Sequence, residues 1–338
     1  MKISRFISGL GALAAMVAVL SGSWGQPAPA AGQLAPAVQL AVLDTDIGDD
    51  IDDAFALALA LRSPELRLLG ISTEYGDTEL RARLLDRFLA TVGGNVGISI
   101  NAGIEGKAQN VFTQAAYARQ DFRSVCGVRT VFKAEAVDWL LLQIRAHPGE
   151  ITLIAIGPLI NIQAAIERDP ATFRKLKRVV MMGGSIERGY DGHNGERRPV
   201  DAEWNINRDP AGARALLASG VPVFMMPLDS TQVHLETKER EAIFAHGSPL
   251  TDQLTLLYHQ WKAGSDGHPD APTLFDPVVV AYAVKPELCP MTPMRLEVDD
   301  QGYTRPVQGN PNAQVCLKSD ESGFLKLLLD RIAAENSR

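Results

Sequence analysis

The sequence predicts an α/β protein: an open, mostly parallel, doubly wound (Rossmann-like) sheet with helices on both faces, folded as a single domain. Three observations predict it. Short apolar, β-branched runs alternate with longer amphipathic stretches, the pattern of strands covered on both faces and joined by helices. No repeat, low-complexity segment or linker interrupts this alternation beyond residue 30. Finally, an acidic loop follows the first apolar run, at the place where open α/β sheets bind their ligands.

The first strand is read at residues 40–43, running into Asp44-Thr45-Asp46-Ile47-Gly48-Asp49-Asp50-Ile51-Asp52-Asp53, which holds six aspartates and no basic residue. A strongly helical stretch follows, so the context reads strand, tight loop, helix, with the helix over 53–62 and Asp52 as a candidate N-cap. The remaining strands are read at 66–73, 151–156, 179–182 and 221–226, each a short and mostly apolar run. Helices are expected between them at 79–92, 134–146, 161–167 and 210–218. Residues 193–198 and 262–272 are polar and contain Gly, which marks them as candidate binding loops or lids. Residues 290–316 give no readable pattern.

The amino terminus reads as a leader. Lys2 and Arg5 form a positive end, residues 6–20 are apolar, and Ser21-Gly22-Ser23 and a Pro/Ala run follow. This is the layout of a secretory signal peptide, over residues 1–30 with a short linker, cleaved between Gly25 and Ala31. The apolar core is short for a membrane span, so the expected product is exported, periplasmic or secreted, with its domain at residues 36–335. Formal charge is −7, and loss of Lys2 and Arg5 makes it two units more negative, which argues against nucleic acid or an anionic membrane as partner. Three cysteines are too few for a disulfide scaffold; Cys289 with Cys316 is the preferred single bridge. No Cys/His spacing resembles a zinc site.

Six carboxylates in one loop repel each other, and dehydrating them without counter-charge is costly. A hard divalent cation with oxygen ligands resolves that conflict; a solvated acidic loop is the bland alternative. An EF-hand beginning at Asp44 needs Gly and Glu where the chain has Asp49 and Phe55. One Gly and no Lys exclude a phosphate-binding loop. An aspartyl-phosphate hydrolase also begins Asp-x-Asp, but Ile47-Gly48 does not fit its continuation.

In order along the chain, Asp44-Thr45-Asp46-Ile47-Gly48 with Asp52-Asp53-Ala54, Tyr75-Gly76-Asp77, Ile156-Gly157-Pro158-Leu159-Ile160-Asn161, Met182-Gly183-Gly184, Glu203-Trp204-Asn205 with Asp209-Pro210, and Phe275-Asp276 form a series of blocks. The series resembles the inosine–uridine-preferring nucleoside hydrolase family over roughly residues 40 to 285. The resemblance implies a calcium site formed by Asp46, Asp53, Asp276 and the carbonyl of Ile156. It implies a water whose proton passes to Asp46 and which attacks the anomeric carbon as the N-glycosidic bond breaks. Carboxylates around a ribosyl cation stabilise it. Ribose recognition would fall to Asp52, Asp77, Met182, Glu203 and Asn205, and stacking on the base to Phe275, Trp204 and Trp261.

The chain also departs from the family. Two extra residues leave Asp49 or Asp50 able to replace a named ligand. Asp77 replaces an amide, Arg197 stands near a position where members carry Asn, and Phe275 replaces a His used near the leaving base. His259 and His268 lie by the second polar loop. The expected function is therefore calcium-dependent hydrolysis of a small-molecule ribonucleoside to base and ribose, with homo-oligomers carried over from relatives. The rival is a calcium-containing riboside-binding protein without turnover.

Overall fold

The computed structural model describes residues 38–93, 97–106, 112–119, 135–192, 195–264 and 269–333. The expected signal segment, Cys126, His193 and His268 lie outside them. Strands β1 (Gln39–Thr45), β2 (Leu66–Thr73), β3 (Ser99–Ala102), β4 (Ile151–Ala155), β5 (Arg178–Met182), β6 (Val223–Met226), β7 (Met291–Val298), β8 (Thr304–Val307) and β9 (Ala313–Cys316) make one sheet. Its order is β3-β2-β1-β4-β5-β6-β9-β7-β8. The first six strands and β9 run parallel; β7 pairs antiparallel with both β9 and β8.

Every residue of β4, and β1 from Ala41 on, is buried, because helices cover both faces of the sheet centre. That is why these strands read as continuous apolar runs. Strand order reverses between β1 and β4, which opens a crevice beyond their carboxyl ends. Register pairs Thr45 with Thr73, Asp44 with Ala155 and Met182 with Met226, so the strand ends lie level and deliver their loops to one rim.

Two apolar helices, Asp52–Leu61 and Phe275–Val284, pack together beneath that rim. Both are buried nearly all round, so both start where their first-turn aspartates face the crevice. Entry to the second helix is pinned by Leu235 N–H to Pro272 O at 2.9 Å and Leu274 N–H to Val233 O at 2.7 Å.

The expected five strands are present with ends displaced by a few residues. Four others were not legible. β3 has only four residues, and β7 is exposed or half-buried from Met291 to Arg295, so neither carries a continuous apolar run. Three long helices, Pro249–Gly264, Phe275–Val284 and Glu321–Ile332, are not among the expected ones. Lys262 to Gly264 are the last turn of the first, where the sequence led us to expect a loop. Cys289 and Cys316 are disulfide-bonded with Cα atoms 5.6 Å apart. Among the described residues no helix is long and apolar enough to cross a membrane.

Candidate active site

The acidic loop leaves β1 and folds over a buried cation supplied from elsewhere. Arg81, in the helix Thr78–Val92, is 1% exposed. Its guanidinium donates to the carbonyls of Asp46, Ile47 and Tyr75, the last two at 2.8 Å. It also lies 3.6 Å from the Asp49 carboxylate and covers the Phe112 ring. Gly48 takes φ 120°, and a Cβ there would fall 2.7 Å from the Phe112 ring, so only glycine fits. The segment after Phe112 holds the loop in turn. Thr113 Oγ1 donates to Asp49 O at 2.6 Å and Gln114 Nε2 to Asp50 O at 2.8 Å.

Three side chains then converge. Asp52, Asp53 and Asp276 each offer a carboxylate oxygen, all within 4.8 Å of one another, and all three residues are buried. Asp52 accepts from Asp276 N–H at 3.2 Å, while Asp53 accepts from Thr45 Oγ1 at 2.5 Å. Each sits in the first turn of a ten-residue helix, where free N–H groups and the helix dipole favour negative charge. Burial, then repulsion from neighbouring carboxylates, Asp46 and Asp50 among them, pushes all three well above the usual carboxylate range. Burial likewise raises Asp46 to about 6, with the Arg81 guanidinium pulling the other way. An all-oxygen set of hard carboxylates suits a hard divalent cation, so the cluster can hold a metal.

Behind Asp46 lies a second buried layer. Asp44 accepts from Ser72 Oγ and from Asn161 Nδ2 at 2.9 Å, and Glu74 accepts from Asn161 N–H at 3.4 Å. Gly157 faces both layers: a Cβ there would lie 2.8 Å from Glu74 Oε1 and 2.9 Å from Asp46 Oδ1. Nearby, Tyr75 adopts φ 59°, an uncommon conformation for a bulky residue, at the turn that ends β2.

A cavity of about 480 Å³ opens over these groups. It brings together Asp46, Asp49, Asp50, Asp52, Asp53, Ile156, Met182, Glu203, Trp204, Asn205, Phe275 and Asp276 with two residues the sequence did not single out, Thr113 and Tyr190. Asn205 Nδ2 donates to Ile156 O at 3.4 Å and Met182 O at 3.3 Å, tying the ends of β4 and β5. Glu203 caps the short helix Trp204–Arg208 through Asn205 N–H, and its other oxygen accepts from Gly184 N–H at 2.9 Å. Trp204 stands at the rim with the Arg208 guanidinium 3.7 Å from its ring. Tyr190 meets Phe275 edge to face at 6.0 Å, and its hydroxyl accepts from Trp204 N–H. Burial raises the Tyr190 phenol above its ordinary value, with Glu203 adding to the effect.

Several expectations are corrected. Asp77 is exposed and caps the helix Thr78–Val92 through Leu80 N–H at 2.9 Å, so it does not reach the cavity. Asp52 is the first residue of its helix rather than its cap, and it joins the three-carboxylate cluster. Arg197 and His259 are exposed and do not line the cavity. Trp261 is buried in the core and does not line the cavity. Tyr190 carried no spacing signal, because it sits in an irregular segment with no motif around it.

The model of the inosine-uridine preferring nucleoside hydrolase family matches residues 41–326. The chain is 32% identical over 325 residues to the pyrimidine-specific ribonucleoside hydrolase RihA of Citrobacter koseri, covering 86% of this chain and 97% of that one. Among solved structures, a plant nucleoside hydrolase superposes with TM-score 0.74 at 25% identity, covering 88% and 99% of the two chains. A purine-preferring ribonucleoside hydrolase from Gardnerella vaginalis gives 0.72 at 25% identity, covering 87% and 98%.

Proposed function

The chain belongs to the inosine-uridine preferring nucleoside hydrolase family and is an N-glycosidase, and from that premise we propose calcium-dependent hydrolysis of ribonucleosides with Asp46 as the base. One observation carries the reading: three mutually close buried carboxylates and Asp46 share the floor of a cavity walled by aromatic rings. Asp52, Asp53 and Asp276 would hold the cation, with Asp46 and the Ile156 carbonyl beside them. Bound there, calcium would supply Lewis acidity and orient a water and the sugar hydroxyls.

The chain's own residues do the remainder. The C1′–N bond breaks with its electron pair passing to the base, while water oxygen bonds to C1′ and its proton goes to Asp46. Asp46 lines the cavity floor and is placed to accept that proton as a carboxylate. Arg81 fixes the backbone on which that carboxylate stands, and Gly157 leaves room beside it. Positive charge developing on the ribosyl group is stabilised by the surrounding carboxylates. Asn205 and Met182 are placed to hold the sugar, and Trp204, Tyr190 and Phe275 to lie against the base. The relatives differ in base preference, one pyrimidine-specific and one purine-preferring, so base preference is not carried over.

The test is reducing-sugar release from purine and pyrimidine ribonucleosides, with calcium and after chelation. Chelator-sensitive release is expected, and Asp46→Asn should reduce kcat at least about a thousandfold with its circular dichroism spectrum unchanged. Wild-type turnover in Asp46→Asn would remove the proposed base. Ligand bound intact with no sugar released would assign a riboside-binding protein instead. Export is also proposed, on the leader-like amino terminus and on a disulfide of the kind that persists in oxidising compartments.

A further inference from the structure

Resting on that reading, we propose that the cavity selects cationic leaving groups: its preferred substrates are N-ribosides in which C1′ is bonded to a positively charged ring nitrogen, as in a ribosylpyridinium. Two sets of lining residues point to this class. Asp49 and Asp50 line the cavity outside the three-carboxylate cluster. Thr113 and Gln114 tie down the backbone carbonyls of these two residues, which fixes the stretch of loop that carries them. A divalent cation on the cluster leaves the charge of Asp50, and what Arg81 does not offset at Asp49, facing the substrate space, where a low-dielectric wall strengthens it.

The second set is aromatic. Tyr190, Trp204 and Phe275 line the same cavity, with Tyr190 nearly perpendicular to Phe275 at 82°. Trp204 stands 79° from Tyr75 and already carries one flat cation, the Arg208 guanidinium. Ring faces attract cations through their quadrupole, most strongly where water is excluded. Carboxylates and ring faces therefore favour the same sign of charge.

The chemistry agrees. When a neutral nucleoside is cleaved, the departing nitrogen takes the C1′–N electron pair as an anion, which this cavity opposes, or must gain a proton. In a ribosylpyridinium the same electron pair neutralises the ring, and a neutral heterocycle departs. Water oxygen bonds to C1′ and its proton passes to Asp46. The positive charge moves from the ring to the ribosyl group, towards the aspartates beneath it.

The experiment compares kcat/KM for the ribosylpyridinium-3-carboxamide cation and for uridine, which is neutral and of similar size. Both are measured with the calcium-loaded wild type and the Asp49→Asn, Asp50→Asn double variant. The ratio of cation to uridine should fall about tenfold in the double variant, which removes the intrinsic reactivity of the two substrates from the comparison. In the wild type, KM for the cation should rise with ionic strength several-fold more than KM for uridine, a result that stands even if the double variant does not fold. A ratio unchanged by both substitution and salt, with uridine hydrolysed normally, would overturn the cation preference alone. Release of sugar from neither substrate would overturn the hydrolase reading and this inference with it.

Discussion

Arg81 carries the cost of the acidic loop. Its guanidinium lies 35 positions from Asp46 in sequence yet donates to that residue's carbonyl, and it reaches the Asp49 carboxylate as well. Removing one partner of a buried charged network leaves the others uncompensated, at roughly 3 kcal/mol or more. Arg81→Met should therefore lower the unfolding free energy measured in urea by that order, and should cost kcat through displacement of Asp46. Measured stability within about 0.5 kcal/mol of wild type would show that the carboxylates do not depend on this cation. Gly157 acts at the same scale by what it lacks. A methyl group there meets Glu74 and Asp46 oxygens within 3.0 Å and must displace one of them.

At the scale of elements, two helix N-termini and one tethered segment shape the cavity. The helices Asp52–Leu61 and Phe275–Val284 bring three carboxylates together because both pack against the sheet with the same polarity. The segment after β5 is held differently. Asp229 accepts from Ile186 N–H at 2.9 Å and Glu187 N–H at 2.7 Å, while Gln232 accepts from Asp191 N–H at 2.6 Å. These bonds hold Tyr190 against Phe275. Asp229→Ala should loosen the segment, raising KM for the preferred substrate about three- to tenfold while kcat changes less than twofold. An equal loss in kcat and kcat/KM would place the segment in the chemical step instead.

For the whole molecule, the carboxylate layers couple stability to pH and to cation. Asp44, Asp46 and Asp50 are raised by burial from 3.8 to about 6, so the folded chain binds more protons than the unfolded one between those values. Their contribution to stability is complete below the unfolded value and is lost as pH rises through about 6. The chelated protein should therefore melt lower at about pH 7.5 than at about pH 4.5, by roughly 5 °C. Millimolar calcium should raise Tm at the higher pH and do little at the lower, where the carboxylates are protonated. A Tm indifferent to calcium at about pH 7.5 would argue against the proposed cation site.

The central sheet was legible because β1, β2, β4, β5 and β6 are covered on both faces and so had to be written as apolar runs. The ordered blocks from Asp44 to Asp276 were legible for a related reason: the ends of parallel strands are where a chain can display polar groups beside a core. β7 and β8 left no such trace, since edge strands tolerate Pro293 and exposed positions. Sequence also determined that the carboxylates needed a counter-charge, a consequence of repulsion that holds in any fold. That Arg81 supplies part of it from beneath the loop was decided by tertiary structure. So were the exclusion of Asp77, the entry of Asp52 into the cluster and the placing of Tyr190 in the wall. Each depends on distances between elements far apart in the chain, and those are set by how helices pack on the sheet, a quantity no local spacing encodes.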